Sequence, residues 1–509
     1  MIDGRQVGVF AFRHALLRDY CYRAISPQLR AVLHARAASA LVGQTIGGLA
    51  RGVAGQVVWH HEMAGDLAAA LAAGKAAVDL AERALALREA ILFADTCRRL
   101  LDASDPHRRR VAEHVQLLLR LSALVALVEG HAAPRAMAIC NELERLGAGL
   151  EDPALRFKVA LRLRVLYSFA GATRRALRAA RQQVAIAAVR GEPADQIEAL
   201  RNEGVASFQL GRFAQAETVL ERAVEIVERA IARGVIDPAR PPFQVSLLFG
   251  VRAMNHVVLG RSIDAAAGMQ RATSNVQTQS DIFSQTLFLL VRANVFQHLR
   301  QLPETREVAR DLSGLARRSG MPRVQSIAGY FEGWVQAETG SLDDGIAAMR
   351  DAIARYPAEA DHHLFPTWFA HLAQAQLRAG QPDDAAQSIS IAERTMRETG
   401  QLTWAADIYR VRARVQAALS GSAAVVEASF NQSLAVARRQ GAPMLVLRAL
   451  VDKLIWLDEA GRDSDEARAA ASRFLERLRP LGESAEIRAA ESALGVARSG
   501  PTLPQRIAD

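Results

Sequence analysis

The side chains in this sequence that could do chemistry are few, and their spacing works against it. His60, His61 and Glu62 are metal-ligand types in a row. Adjacent residues on a helix point about 100° apart, so neighbouring histidines do not converge on one ion as a pair four apart does. They read as helix-end groups packed on their neighbours, and His362-His363 reads the same way. Gly74-Lys75-Ala76 is the nearest approach to a phosphate loop. It lacks the first glycine of Gly-x-x-x-x-Gly-Lys-Ser/Thr and the hydroxyl that would hold magnesium, so it reads as helix interior. Asp343-Asp344 and Asp383-Asp384 pair carboxylates, but each pair follows a turn and opens a helix. The backbone dipole favours negative charge there, whereas acid–base work needs a cleft and a raised pKa. No catalytic, cofactor-binding or metal-ligating residue is assigned, no cofactor is expected, and the chain is not expected to be an enzyme.

The larger part of the sequence concerns helices and how they turn. Glycine followed five residues on by a small residue recurs at Gly171 (Ala176), Gly211 (Ala216), Gly260 (Ala265), Gly340 (Gly345) and Gly380 (Ala385). Gly130 and Gly461 head looser versions, and Arg300 and Ser420-Gly421 occupy two further break positions. From Gly171 to Gly461 the separations are 40, 49, 40, 40, 40, 41 and 40 residues. A fixed period is the signature of a solenoid. The long gap holds Gly234 to Pro242, a loop insertion whose adjacent prolines cannot continue a helix. Each helix should run to about 16 residues, or about 24 Å.

The stretch Glu203–Ala223 carries the pattern in detail. Gly204 and Ala216 are small enough for two helices to cross closely, and Gly211 supplies the positive φ that stops the first. Phe213 and Leu220 fill the space between them, and Ala223 continues the seam. This spacing resembles the tetratricopeptide (TPR) unit, with a period longer than the standard 34 residues. Gly333, Gly340, Gly380 and Ala385 are expected to act likewise in later repeats. The fold class expected is all-α, a right-handed TPR-like solenoid of helix pairs. Trp334, Trp368 and Trp404 are candidate groove contacts, set against the plainer reading of wedges between repeats.

The N-terminus looks different. Val7 to Phe12 reads as a short strand, followed by two helices broken at Ser26-Pro27, a good cap and first-turn pair. Phe10, Phe12, His14, Leu17, Tyr22, Leu33, His34, Ala38 and Leu41 resemble the end of the winged-helix segment that follows the NTPase module of large bacterial signalling ATPases. ATP-binding transcriptional regulators and multidomain adenylate cyclases carry similar passages. The C-terminal repeats, from FEGWVQAETGSLDDGIAAM onward, resemble the helical region of the same proteins. The resemblance implies a small winged-helix-like remnant at 1–45, entry helices at 46–130 and the repeat solenoid at 131–495; the tail at 496–509, with Pro501, Pro504 and no pattern, is expected to be disordered. It implies a sensory scaffold that binds a protein, a peptide or a small-molecule effector, with an NTPase or DNA-binding output module in trans. The chain begins where the family's nucleotide-binding module should end, and no cyclase core is visible. A free-standing TPR adaptor for client peptides is the other reading.

Composition agrees with a binding scaffold. Half the residues are hydrophobic and the net charge is +9. Three basic residues are lysines and sixty are arginines, scattered without a long block of one sign. They read as a solvated surface rather than a basic stripe for nucleic acid, and aromatics are too sparse for a base-stacking platform. Three distant cysteines fit a reducing compartment. Leu117–Val128, the longest apolar stretch, reads as too short and too polar to span a bilayer. No signal peptide is seen, and a cytoplasmic location is expected.

Overall fold

The computed structural model describes residues 13–43, 51–84, 86–239, 241–272, 282–357 and 363–496. Among the described residues there are twenty-four α-helices and no strand. Alanine, leucine and arginine dominate the sequence, and all three are strong helix formers. The chain divides into two compact units, the first ending at Arg162 and the second beginning at Leu163. The sequence reading placed its own boundaries at 45 and 130.

The first unit contains α1 (Ala15–Ala24), α2 (Pro27–Gly43), α3 (Arg51–Met63), α4 (Leu67–Arg83), α5 (Leu87–Ser104), α6 (Val111–Val128), α7 (Pro134–Gly147) and most of α8 (Pro153–Phe169). From α2 to α7 each helix packs on the next. Ser26 Oγ accepts the Leu29 N–H at 3.3 Å, which caps α2 at the expected break. Phe10, Phe12 and the strand expected at 7–12 lie outside the described residues. The loop between α5 and α6 begins after Ser104. Cys97, Leu100 and Leu101 are buried at helical spacing and carry α5 on to Ser104. The turn is made by Asp105, whose carboxylate accepts the N–H groups of Arg109 and Arg110 at 2.9 and 2.7 Å. The apolar helix starts earlier, at Val111, so α6 has the length and composition to cross a bilayer. Half of it is buried inside the unit, as in a core helix, and its Arg120 is paired with Glu82.

The second unit is a series of antiparallel pairs. They are α10 (Pro193–Gln209) with α11 (Phe213–Ala232), α12 (Phe243–Val258) with α13 (Ser262–Ala272), and α14 (Ile282–His298) with α15 (Leu302–Ser319). Then come α16 (Pro322–Glu338) with α17 (Leu342–Ala354), α18 (Phe365–Arg378) with α19 (Pro382–Thr399), α20 (Ala405–Ala418) with α21 (Ala423–Gln440), and α22 (Pro443–Glu459) with α23 (Asp465–Leu478). α9 (Thr173–Arg190) precedes them and α24 (Ala485–Leu494) follows. This is a TPR-like array.

From Gly171 to Gly461 every expected break point turns the same way. Residues 171, 211, 260, 300, 340, 380, 420 and 461 all have positive φ. The next residue's N–H then donates to the carbonyl five positions back, at 2.8–3.1 Å, closing the helix end. Arg300 and Ser420 adopt this left-handed conformation without being glycine. The turn residue near 420 is therefore Ser420; Gly421 supplies the N–H that bonds to the Gln416 carbonyl.

Helix crossings explain the small residues. A methyl on Gly204 would stand 2.4 Å from Leu220 Cδ2. The tightest crossing is between α16 and α17, where a methyl on Gly345 would meet Ala337 N at 2.4 Å and one on Gly333 would meet Met349 N at 2.8 Å. Ala216, Phe213, Leu220, Ala223, Ala265 and Ala385 are fully buried along the same seams.

The array also touches itself one turn later. Thr173 Oγ1 donates to Thr399 O at 2.9 Å, across 226 residues. Leu402 N–H donates to Gln209 O at 2.8 Å, and Thr403 Oγ1 to Phe208 O at 3.0 Å. Gly211 lies under the Gln440 side chain, and Gly260 under Leu478. Successive turns of the coil thus rest on each other roughly five to six periods apart.

Two glycine substitutions separate crossing from turning. Gly345→Ala should destabilise the second unit by on the order of 3 kcal/mol, because backbone rather than a flexible side chain blocks the methyl. Gly380→Ala, with open space around it, should cost only about 1–2 kcal/mol for its left-handed φ. Urea unfolding followed by circular dichroism would show the ordering; equal losses would place Gly345 away from the crossing.

Candidate functional site

In the second unit the even-numbered helices from α10 to α24 pack each on the next and form one continuous wall. Two cavities open along it, lined mainly by these helices; the apolar one also takes Arg164, Val165, Ser168 and Phe169 from α8 and Gln401, Thr403 and Trp404 from the segment before α20.

The larger, of about 410 Å³, is polar. Arg410 Nε donates to Asp407 Oδ1 at 2.8 Å, and its Nη1 reaches Asp452. Arg448 bridges Asp407 at 2.8 Å and Glu486 at 3.0 Å. Arg300 and Arg378 share Glu338. Burial alone would raise the Asp407 carboxyl, but Arg410 and Arg448 override it and hold the group well below the usual carboxylate range. Each of these carboxylates has an arginine, and each arginine has a carboxylate. Such a network fixes the wall and is nearly self-sufficient. Two histidines sit among these charges. Burial pushes both below their ordinary value, His371 to about 3. Tyr330 OH lies 2.7 Å from His371 Nδ1.

The second cavity, of about 200 Å³, is mostly apolar, with Val205, Phe208, Leu247, Leu290 and Ile327 among its walls. Arg164 and Arg201 enter it. Arg201 is only 4% exposed, and its nearest carboxylate is Glu198 at 3.7 Å. Burial lowers both guanidinium groups, Arg164 to about 9; arginine side chains carry their charge at neutral pH. Nε of Arg164, Nε of Arg201 and the amide nitrogen of Gln401 have no hydrogen-bond partner among the described residues. The two cavities share a partition, where the rings of His298 and Trp404 stack at 3.8 Å.

The tryptophans fall in three different places. Trp368 is 2% exposed and stacks on Tyr330 at 4.3 Å, a wedge between α16 and α18. Trp334 faces the polar cavity, and Trp404 the apolar one. The packing glycines and alanines, including Gly204, Gly260 and Gly380, lie at crossings and turns and form no part of either cavity. Asp343-Asp344 and Asp383-Asp384 occupy the first turns of α17 and α19. Gly74 and Lys75 lie inside α4. His60 stands 2.8 Å from His34, and Glu62 is paired with Arg99. His363 packs on Phe169, and His362 lies outside the described residues. No group of three metal-ligand side chains occurs among the described residues.

Sequence reasoning missed the polar wall itself. One signal was present: Arg201, Asn202 and Glu203 are three consecutive polar residues in a helix whose neighbours are core, and all three are buried. Glu217 is another. Burial works to raise its carboxyl, but His256, Asn255 and Arg252 bring it down to about 2.

No family model matches this chain. No characterised protein matches it in sequence either. Solved structures do align with it. A Rap protein complexed with Competence and Sporulation Factor has 13% identity and a TM-score of 0.49, covering 75% of this chain and 99% of that one. A human IFIT1 dimer with PPP-AAAA has 14% identity and a TM-score of 0.40, covering 89% and 95%. A Signal Transduction ATPase with Numerous Domains from Pyrococcus horikoshii, with a tetratricopeptide repeat sensor, has 12% identity and a TM-score of 0.35, covering 92% and 67%. At these scores nothing about ligand or partner follows from the likeness.

The buried histidines give the unit a pH dependence. An unfolded imidazole titrates near about 6.5, and His371 stays neutral in the fold down to about 3. Between those values the unfolded chain binds more protons, so stability is full above the upper value and falls as pH falls. His371→Gln should remove up to about 2 kcal/mol of the loss between about pH 7.5 and about pH 5, read from urea midpoints. An unchanged slope would mean that His371 is protonated in place.

Proposed function

We propose that the chain is a non-catalytic, sensory scaffold that binds a protein, peptide or small-molecule effector along the wall of its second unit. The observation that supports this most is the wall itself. A coil held closed by contacts between its turns carries a built polar network beside an apolar cavity with charged donors left unsatisfied. Structural packing alone does not favour buried guanidinium nitrogens without hydrogen-bond partners in an apolar setting. A pre-shaped, mostly apolar cavity with a few convergent polar groups is what small ligands and side-chain anchors require.

The finer reading places the scaffold in a signalling ATPase, cyclase or transcription regulator. It rests on the resemblance of the first 45 residues and of the C-terminal repeats to those proteins. In this reading an NTPase or DNA-binding output module acts in trans, in the cytoplasm, and effector binding on the wall restrains or releases it.

Site-specific photo-crosslinking in the native cell tests both levels. A short aliphatic diazirine side chain at Val205, on the wall, should form an adduct, whereas one at Val189, exposed on α9, should not. Recovery of a chain carrying a phosphate loop from Val205 would support the signalling reading, and client peptides alone would favour the free-standing adaptor. Adducts only from Val189 would remove the wall as the binding face.

A further inference from the structure

We infer that the apolar cavity takes a single carboxylate at the end of an apolar chain, held by Arg164, Arg201 and Gln401. This rests on the wall being the binding face and names what it binds.

All three unpartnered polar atoms on the lining are donors: Nε of Arg164, Nε of Arg201 and the amide nitrogen of Gln401. A cation would leave them unsatisfied and a neutral acceptor would leave the charge unanswered; an anion completes both. Charge sets the number. Arg164 and Arg201 bring two positive charges to this corner, and Glu198, 3.7 Å from Arg201, offsets one. At the Arg164–Arg201 pair one positive charge is left over, which a carboxylate would answer; Arg323, the third arginine on the lining, donates to the Tyr356 hydroxyl at 2.9 Å. Guanidinium groups also fit the planar two-oxygen carboxylate in paired hydrogen bonds. Beyond the arginines the walls include Val205, Phe208, Leu247, Leu290 and Ile327, which suit a hydrocarbon or an apolar side chain, while Ser168, Thr286, Asn294 and Thr403 on the same lining already donate hydrogen bonds within the protein.

The adjoining polar cavity supplies the contrast. Its arginines are matched by Asp407, Asp452, Glu486 and Glu338 and leave no comparable surplus. The two cavities share a wall but differ in whether their charges are already answered.

The surplus charge has a consequence in the free protein. Arg164 has no hydrogen-bonded or ion-paired carboxylate among the described residues, and burial works against its charge. Replacing it with an apolar side chain of similar length should leave the ligand-free chain at least as stable while removing ligand affinity.

The test is calorimetric titration of the full chain with decanoate and with decanamide, which has the same chain without the charge. Decanoate should bind at least ten-fold more tightly, and Arg164→Met should abolish that preference with no loss in urea midpoint. Arg201→Met is the second variant, and Val205→Trp fills the cavity and should block both probes. A leucine tripeptide with a free C-terminus and its C-terminal amide form the other arm. Tighter binding of the free-acid peptide than of decanoate identifies a peptide C-terminus as the source, and the reverse identifies an aliphatic acid. Equal binding of charged and neutral probes, or a preference that survives Arg164→Met, overturns the inference. If Val205→Trp still blocks those probes, the wall remains the binding face and only the carboxylate is lost. Failure of every probe, with adducts still formed at Val205, likewise overturns the carboxylate and leaves the wall standing.

Discussion

The second unit depends on its coil meeting itself. A chain of helix pairs has contacts only between neighbours, and small changes at each crossing accumulate along it. Here the drift is stopped. Thr173 bonds to the Thr399 carbonyl, and the backbone of Leu402 to that of Gln209. These are bonds between backbone or short side chains, so they tolerate little displacement. They convert a spring into a ring with a fixed pitch, and the wall inherits that pitch.

The glycines at 171, 211 and 260 consequently serve two needs at once. Each takes the left-handed φ that ends a helix. Each is also a flat spot on which a later turn sits: a methyl on Gly171 would meet Thr399 Cα at 2.8 Å, and one on Gly211 would meet the Gln440 amide at 2.2 Å. Gly340, Gly380 and Gly461 have open space beyond them and serve the first need alone. This difference explains why Arg300 and Ser420 are tolerated as turn residues. A side chain with positive φ costs about 1–2 kcal/mol, which is tolerable where nothing has to approach.

The period was readable because it is local. A turn needs one residue with positive φ, and glycine announces it, so the ruler of about forty residues could be laid along the chain before any contact was known. Ser420 shows the limit: glycine at 421 drew the eye, while the conformation lay one residue earlier. Coil closure was not readable at all, because its partners are about two hundred residues apart and their types are ordinary. The cavities were hidden for a different reason. With sixty arginines in the sequence, Arg164 and Arg201 look like all the others until burial and missing partners single them out. Trp404 was noticed, but whether an indole wedges a core or lines a cavity depends on what stacks against it, here His298.

Closure and binding are joined by one short segment. Residues 401–404 bond to the end of α10 and also line the apolar cavity, with Gln401, Thr403 and Trp404 facing it and Phe208 on the other side. A ligand seated there touches both turns of the coil. Whatever free energy it gains from the pair it gains only when the turns are together, so occupancy and closure are linked, and by reciprocity each strengthens the other. The stacked His298–Trp404 pair carries that linkage to the charged wall, because His298 stands beside Asp407 and Arg448. Rigid packing on one side of the partition and an unanswered charge on the other make the segment a place where a small molecule bound in the cavity would bear on the contact between turns.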